Sequence, residues 1–187
     1  IGIYKEAGKL TIKGELDIDP HVATAKDSEP TAVYAVNGTQ VDDQASKISV
    51  GEKSYGFILN NNDPTKTNTY INGNTGTVSM GNDSVFLYSN GKANIVNNRT
   101  INSNGSEHLI AFYIKNGGDF TNNGTIDFSS GKGNIGVYAD GKYTFNHEGT
   151  SAKLNVGTNA LGIFAKNASG ILNIKAPIVL ADSGTGA

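Results

Sequence analysis

Three carboxylates near the start of the chain have the pattern best suited to chemistry. Glu15, Asp17 and Asp19 alternate with the apolar residues Leu16 and Ile18, and alternate residues of a strand share one face. Two such carboxylates can divide the acid and base roles of glycan cleavage, or bind a calcium ion. The equivalent outward positions later in the chain form no second acidic row: Ser49, Ser79, Asn102, Asp127, Asn155 and Val179. We therefore interpret the three carboxylates as a solvated strand edge.

Histidine, cysteine and serine give no further catalytic or metal-binding pattern. His21, His108 and His147 lie far apart in the chain, without the short spacings of zinc ligands, and surface positions are expected for all three. The chain has no Cys, and no Ser lies in the Gly-x-Ser-x-Gly turn that exposes a nucleophile. The sequence thus predicts no enzyme activity, no metal site and no cofactor.

Composition favours a chain of many short strands. Of the 187 residues, 24 are Gly and 37% are hydrophobic, which suits thin, turn-rich β layers better than a thick central core. A formal net charge of -2 provides no basic surface for phosphates, so nucleic acid is not expected as a partner. No apolar run reaches the ~18 residues of a membrane span, so this segment is not expected to insert into a membrane directly.

A repeat organises the whole chain. Seven short motifs end in an aromatic or aliphatic residue, called here the anchor, and successive anchors lie 24 to 30 residues apart. This spacing lies within the range of solenoid repeats. The motifs are Gly2-Ile3-Tyr4, Ala32-Val33-Tyr34, Gly56-Phe57-Ile58, Phe86-Leu87-Tyr88, Ala111-Phe112-Tyr113, Gly136-Val137-Tyr138 and Gly162-Ile163-Phe164.

Each repeat has the pattern of three short strands separated by turns. Turns such as Asn37-Gly38 and Asp140-Gly141 follow the anchor, and apolar-alternating pieces follow each turn, as half-buried strands require. One such unit cannot enclose a core, whereas stacking equivalent strands in parallel buries one. The sequence therefore predicts an all-β, right-handed parallel β-helix of about seven three-stranded rungs, with residues 1–187 as a single segment. The two longer repeats predict loops at residues 19–30 and 60–69.

Alternation also assigns the residues of the first strand to faces. The anchor is expected to point outward, together with the residue two positions before it, which is usually Gly or Ala. The residues one and three positions before the anchor are mostly apolar and are expected to point inward. They are Ile1 and Ile3, Thr31 and Val33, Tyr55 and Phe57, Val85 and Leu87, Ile110 and Phe112, Ile135 and Val137, and Leu161 and Ile163.

This assignment predicts an outward column of rings beside small residues. The rings can stack on one another and cover glycine backbone, which stabilises a sheet by about 0.5 to 1.5 kcal/mol per aromatic pair. Alternatively, the column is a platform for a sugar, a peptide or a second solenoid, since exposed apolar patches mark interaction sites. The candidate binding residues are Tyr4, Tyr34, Tyr88, Tyr113, Tyr138 and Phe164.

Asparagine is frequent in the predicted turns. The pairs Asn97-Asn98 and Asn122-Asn123 are predicted to build ladders of turns, because Asn tolerates the backbone angles of turns. Asn-x-Ser/Thr triplets are interpreted as chance occurrences rather than glycosylation sites. They begin at Asn37, Asn82, Asn98, Asn104, Asn123 and Asn167.

Four stretches share one style of rung: Gly2-Ile3-Tyr4, residues 122–126, residues 136–141 and residues 162–167. They resemble the rungs of type V autotransporter passenger domains and, more narrowly, those of large fusobacterial outer-membrane autotransporter adhesins. The resemblance covers essentially the whole chain, and its motifs specify the solenoid rather than a ligand. It implies a segment of a longer exported protein, displayed at the bacterial cell surface and anchored to the outer membrane through a C-terminal β-barrel that this segment lacks. It also implies attachment to host cells or to other bacteria.

Three functions follow as hypotheses. The first is a non-catalytic adhesive or stalk segment that binds a host-cell or bacterial surface protein or glycan. The second is a polysaccharide lyase or hydrolase on the same scaffold, which would need a compact cleft of acidic and basic residues in adjacent rungs. The third is self-association, in which stalks pair through the aromatic column and cause aggregation.

Overall fold

The computed structural model describes residues 1–18, 29–73, 75–167 and 169–181. These residues form β-strands joined by turns and contain no helix, which confirms the predicted all-β class. The predicted loop at residues 19–30 lies outside the described residues except for Glu29 and Pro30, and so do Asp19 and His21.

Seventeen strands are present in the described residues, and most are four to six residues long. Tight turns separate most of them, as the Gly and Asn content of the chain predicts. The strands are β1 (Ile3–Ile18), β2 (Thr31–Val50), β3 (Tyr55–Asn60), β4 (Asn68–Asn72), β5 (Thr77–Met80), β6 (Val85–Asn90), β7 (Ala93–Asn97), β8 (Ile101–Asn102), β9 (Ile110–Lys115), β10 (Asp119–Asn122), β11 (Thr125–Phe128), β12 (Ile135–Asp140), β13 (Thr144–His147), β14 (Lys153–Val156), β15 (Leu161–Lys166), β16 (Ile171–Ile174) and β17 (Ile178–Leu180).

The strand pairings are parallel and join each strand to the equivalent strand of the next rung. Tyr88 of β6 pairs with Tyr113 of β9, which pairs with Tyr138 of β12. The strands form three sheets around the coil, called here sheets A, B and C in the order in which the chain meets them. Sheet A contains β3, β6, β9, β12 and β15, sheet B contains β4, β7, β10, β13 and β16, and sheet C contains β5, β8, β11, β14 and β17. The fold is a right-handed parallel β-helix, as predicted.

The first two strands are long because each runs through all three sheets. Irregularities in the register between Glu6 and Gly8, and between Gly14 and Glu15, accompany the two corners that β1 turns. β2 pairs with β1 on one side and with β3, β4 and β5 on the other. Together with the five later strands of each sheet, β1 and β2 give the seven rungs that the repeat predicts.

The turn that follows sheet A has backbone angles that favour Asn and Gly. Asn37 has a φ of 47° and Gly38 a φ of 90°, which lie in the left-handed region where Gly has no steric penalty and Asn a small one. In the third rung a longer connection replaces this turn. β3 ends at Asn60 and β4 begins at Asn68, so the connection comprises residues 61–67.

Apolar side chains from the three sheets fill a narrow interior. The residues one position before the anchors are fully buried in the middle rungs, as predicted: Val33, Phe57, Leu87, Phe112 and Val137. Inward residues of sheets B and C complete the core, among them Tyr70, Ile95, Phe120, Phe145, Ile48, Val78, Ile126 and Leu154. Rings contact one another inside the coil, with centroids 4.4 Å apart for Phe112 and Phe120 and 5.0 Å apart for Phe120 and Phe145.

Two of the predicted faces of sheet A are wrong. The residue two positions before the anchor points inward: Phe86 is fully buried, and its ring centroid lies 5.5 Å from that of Phe57 and 5.6 Å from that of Phe112. The residue three positions before the anchor lies outside the core cluster, and Tyr55 packs edge-on against the outward Tyr88, with centroids 6.4 Å apart. Strict alternation fails because the ladder pairs the residues three and one positions before the anchor and skips the residue two positions before it, where the chain enters sheet A.

The alternating apolar residues of the last two strands are exposed. Leu172 and Ile174 of β16 are 42% and 41% exposed, and Ile178 and Leu180 of β17 are 41% and 76% exposed. Each of these strands pairs with one neighbouring strand in the described residues. A residue of this fold becomes buried when rungs pack on both of its sides, as they do in the middle of the coil.

Candidate binding surface

The anchors form one outward column along sheet A, called here the aromatic column: Tyr4, Tyr34, Ile58, Tyr88, Tyr113, Tyr138 and Phe164. The direct register of the parallel strands places each anchor beside the anchor of the next rung. Tyr4 is 61% exposed and Phe164 is 38% exposed, and the five anchors between them are half-buried. The structure thus places all six candidate binding residues on one outer surface.

Neighbouring rings of the aromatic column contact one another. The ring centroids of Tyr113 and Tyr138 lie 4.5 Å apart, and those of Tyr138 and Phe164 lie 4.8 Å apart. Tyr88 meets Tyr113 edge-on at 5.1 Å, and Tyr4 stacks with Tyr34 at 6.0 Å. The predicted stacking is therefore confirmed. The rings do not cover the small residues two positions earlier, because those residues face the interior.

A ladder of side-chain amides borders the aromatic column, and is called here the outer amide ladder: Asn60, Asn90 and Asn116. Asn90 Nδ2 donates to Asn60 Oδ1 at 3.0 Å, and Asn116 Nδ2 donates to Asn90 Oδ1 at 2.8 Å. Asn60 Nδ2 donates to the hydroxyl of Tyr34 at 3.2 Å. All three amides are at least partly exposed, so the rings lie beside polar groups that water can reach.

The aromatic column is interrupted in the third rung, where the anchor is Ile58. A shallow depression of about 450 Å³ lies at this break, lined by Ile1, Glu29, Thr31, Tyr34, Tyr55, Ile58 and Tyr88. Tyr34 stacks on Tyr4 with one face of its ring, so its other face is turned towards the break. Tyr88 lies one rung beyond Ile58 and is contacted by Tyr55. We call this feature the Ile58 depression.

The phenols around the Ile58 depression stay protonated at physiological pH. Burial raises the pKa of Tyr55 to about 12, and the nearby negative charge of Glu29 adds to the rise. Burial also raises the pKa of Tyr88 and of Tyr113, since a phenolate would lose solvation there. The rings therefore remain neutral, and the negative charge at the depression comes from Glu29.

A second ladder of polar side chains runs inside the coil, near the corner between sheets B and C. We call it the inner amide ladder: Asn72, Asn97, Asn122 and His147. Asn72 Nδ2 donates to Asn97 Oδ1 at 2.7 Å, and Asn97 Nδ2 donates to Asn122 Oδ1 at 2.8 Å. Asn122 Nδ2 lies 3.1 Å from His147 Nδ1, and His147 Nε2 lies 3.1 Å from the carbonyl oxygen of Pro177. A carbonyl can only accept, so Nε2 carries the proton and Nδ1 accepts from Asn122.

The inner amide ladder confirms one prediction and corrects another. Turn ladders were predicted at the two Asn pairs, and Asn123 Nδ2 also donates to Asn98 Oδ1 at 3.0 Å. A surface position was predicted for His147, but its side chain is fully buried. The imidazole continues the ladder and lies against the ring of Phe145, with centroids 6.1 Å apart. Two satisfied ring nitrogens explain how a histidine is accommodated in the interior.

A buried ion pair near the same corner was not predicted. Arg99 is 1% exposed, and its Nη2 lies 3.4 Å from Asp43 Oδ1 and donates to the backbone oxygen of Asp43 at 3.0 Å. Nη1 donates to the backbone oxygen of Ala45 at 3.3 Å, and the Tyr70 hydroxyl donates to Asp43 Oδ2 at 2.7 Å. Burial raises the pKa of Asp43, and the Arg99 charge and the Tyr70 hydroxyl oppose that rise. The sequence contains one indication that this residue has a special role: Arg99 is the only Arg of the chain.

The described residues among those singled out for catalysis or metal binding, which exclude Asp19 and His21, are not brought together. Glu15 and Asp17 are exposed on sheet C, and Lys47 Nζ lies 3.9 Å from Glu15 Oε2. His108 is largely exposed and lies 3.3 Å from Asp83 Oδ1. The described part of the chain contains no group of three His, Cys, Asp or Glu residues that could hold a metal ion. It also contains no helix of the length and hydropathy that a membrane span requires.

Comparison with known proteins gives one match. The family model of the BigA third pectate lyase-like domain matches residues 66–187, which is well over half of the chain. No curated protein and no solved structure matches. The matched range begins near the end of the connection between β3 and β4 and includes the rungs that carry Tyr88, Tyr113, Tyr138 and Phe164.

Proposed function

Since this chain belongs to the family of the BigA third pectate lyase-like domain, we propose that it is a non-catalytic adhesive segment of a surface-displayed bacterial passenger. BigA is an autotransporter-type adhesin, which supports attachment as the role. The proposed partner is a protein or glycan on the surface of a host cell or of another bacterium. Anchorage to the outer membrane and the narrower likeness to fusobacterial adhesins belong to the same proposal.

The aromatic column is the observation that carries this proposal. The outward positions of sheet C are mostly polar, with Ser49, Ser79 and Asn102 in successive rungs. Sheet A instead presents rings in six of its seven rungs. Aromatic side chains are enriched in protein interfaces, and exposed apolar patches mark interaction sites. Sheet A therefore suits a binding partner better than sheet C does.

The scaffold also favours binding because it holds the rings in place. Adjacent strands of a sheet lie ~4.8 Å apart, and ladder hydrogen bonds fix each anchor at that spacing along the coil. A preformed surface loses little conformational entropy when a partner binds. Contact between neighbouring rings, such as Tyr113 and Tyr138, further restricts their side-chain rotation. The column can thus act as a rigid strip of contact area.

Removal of three rings from the aromatic column tests the proposal. We expect a variant with Tyr88→Ala, Tyr113→Ala and Tyr138→Ala to lose attachment to cells while it remains folded at the temperature of the assay. The matched control carries Ser49→Ala, Asn102→Ala and Asp127→Ala on the outer face of sheet C, and should attach as well as the unchanged chain. Flow cytometry of the labelled chain on host cells and on bacteria measures attachment.

Two results would contradict the proposal. The first is unchanged attachment of the three-ring variant together with a lower melting temperature, which would make the column purely structural. The second is a solution mass of two or more copies for the unchanged chain that falls to one copy in the variant. That result would assign the column to self-association between stalks instead of to a surface partner.

A further inference from the structure

The Ile58 depression has the composition of a site for a positively charged group. We propose that it binds the cationic side chain of a lysine or arginine on a protein partner. This inference rests on the proposed attachment role, because it names the class of partner at one part of the same aromatic column. Four features of the described residues support it: the tyrosine rings that line the depression, the carboxylate of Glu29, the hydrogen bonds that already occupy the Asn60 amide, and the distance between Tyr34 and Tyr88.

The rings are those of Tyr34, Tyr55 and Tyr88, all of which line the depression. The face of an aromatic ring carries partial negative charge, and a cation within about 6 Å of the ring centroid is attracted to it. Tyr34 uses one face to stack on Tyr4 and turns the other towards the break. Tyr55 and Tyr88 meet at an interplanar angle of 78°, so the two rings present surfaces in different directions.

The charge comes from Glu29. Its carboxylate lines the same depression as the Tyr55 ring and is close enough to that phenol to contribute to its raised pKa. None of the described side chains that line the depression is cationic. The side chains that line the depression therefore supply three neutral rings and one carboxylate.

The neighbouring amide is already engaged, which argues against a sugar. Asn60 donates through Nδ2 to Tyr34 and accepts at Oδ1 from Asn90. A sugar needs several donors and acceptors for its hydroxyls, and the side chains that line the depression offer few beyond Glu29, Thr31 and the phenol oxygens. A cation is satisfied by the ring faces and by one carboxylate.

The distance between Tyr34 and Tyr88 also suits a planar or compact cation. Tyr34 and Tyr88 lie two rungs apart in sheet A, which corresponds to roughly 10 Å between their backbones. A guanidinium or ammonium group placed between two rings needs roughly 3.5 to 4 Å on each side. Ile58 occupies the intervening rung with an aliphatic side chain and forms the base of the break.

Charged and neutral probes of the same shape test the inference. Titrations of the chain with Nα-acetyl-arginine amide and Nα-acetyl-lysine amide, followed by NMR, should give saturable shifts of the resonances of Tyr34, Tyr55 and Tyr88. The neutral counterparts, Nα-acetyl-citrulline amide and Nα-acetyl-norleucine amide, should bind about tenfold more weakly or not at all, because they lack the cation. Equal binding of the charged and neutral probes would overturn the inference.

Two variants identify the site, and a third serves as control. Ile58→Tyr restores the ring that the other rungs carry, so it should fill the break and abolish probe binding without disturbing the fold. Glu29→Gln removes the charge at nearly constant shape and should weaken binding of the arginine probe about fivefold. Asn102→Ala changes the outer face of sheet C, away from the depression, and should leave probe binding unchanged. Full binding by Ile58→Tyr, or saturable binding of a neutral oligosaccharide at these tyrosines in place of the cations, would overturn the inference.

The failure of this inference is distinguishable from the failure of the proposed function. If the charged probes do not bind while the three-ring variant loses attachment to cells, the cation site is wrong and the adhesive role stands. If the charged probes bind as described while the three-ring variant attaches normally, the adhesive role of the column is wrong and the cation site stands.

Discussion

Two amide ladders with the same chemistry run along this coil, one inside and one outside. In the inner amide ladder, Asn97 bonds to the amides on either side at 2.7 and 2.8 Å. In the outer amide ladder, Asn90 does the same at 3.0 and 2.8 Å. The ladders differ in burial, because Asn97 is fully buried whereas Asn90 is partly exposed.

The burial of an amide ladder decides how much the ladder contributes to the stability of the fold. A buried amide that loses its partner bears the full cost of desolvation, whereas water can replace the partner of an exposed amide. The inner ladder is therefore a structural element, and the outer ladder leaves the surface free to exchange water for a ligand. The same contrast holds for the rings, since Phe120 is part of the core whereas Tyr113 is half-buried on the outside.

The largest expected effect comes from the buried ion pair. Arg99→Met should lower the free energy of unfolding by about 3 to 5 kcal/mol, because it leaves the buried carboxylate of Asp43 without its counter-charge. Urea denaturation followed by circular dichroism measures this change. The control is Lys9→Met, which removes the exposed pair between Lys9 and Asp42, at 3.0 Å, and should leave the free energy of unfolding nearly unchanged. Similar losses of unfolding free energy in Arg99→Met and Lys9→Met would contradict the conclusion that buried polar contacts contribute more to stability than exposed ones.

The two ladders can be compared with one substitution in each. Asn97→Ala should lower the free energy of unfolding by about 1 to 3 kcal/mol, because it leaves buried polar groups of Asn72 and Asn122 without partners. Asn90→Ala also removes two bonds to neighbouring amides, whereas Asn97→Ala removes in addition the bond from Nδ2 to the backbone oxygen of Arg99 at 3.1 Å. Asn90→Ala should cost less than about 0.5 kcal/mol, since water reaches the groups that remain. Thermal melts of the two variants measure both losses of stability. Equal losses would contradict the proposed difference between the inner and outer amide ladders.

A smaller effect of opposite sign is expected from the aromatic column. Ile58→Tyr should raise the free energy of unfolding by about 0.5 to 1 kcal/mol, because the new ring can contact Tyr34 and Tyr88. A raised melting temperature would show that the break is not required by the fold. A lowered melting temperature would mean that the rung cannot accept a ring at this position.

The last prediction concerns the ionisation of the tyrosines at alkaline pH. Because folding raises the pKa of Tyr55 from 10.0 to about 12, the neutral phenol stabilises the fold fully below pH 10, and this contribution is lost as the pH rises through about 12. The pKa values of Tyr70, Tyr88 and Tyr113 are raised as well. Ultraviolet absorbance of the phenolates should therefore show late ionisation of these four among the eight tyrosines. Ionisation of all eight in a single step near pH 10 would contradict the packing described for them.

The repeat was sufficient to predict the solenoid and its outward column. Anchors at regular spacing gave the rungs, and alternation of apolar residues placed Phe112 inside and Tyr113 outside. Alternation could not predict the inward position of Phe86, because the chain enters sheet A there and the period of two is lost.

Contacts between distant rungs could not be predicted from local patterns. Arg99 and Asp43 are 56 residues apart, and their contact depends on how the intervening rung is shaped. His147 was misplaced for a related reason, since its burial follows from its position in line with Asn122 in the preceding rung. The Ile58 depression likewise depends on Glu29 and Tyr55, which lie outside the anchor pattern.

The most direct test of this account compares two variants in a single attachment assay, at a temperature below both of their melting points. One variant carries Tyr88→Ala, Tyr113→Ala and Tyr138→Ala, and the other carries Asn97→Ala. We predict that the first attaches poorly to cells although it is folded, and that the second attaches normally although its melting temperature is lowered. Normal attachment of the first variant together with lost attachment of the folded second variant would contradict the assignment of binding to the outer surface and of stability to the interior.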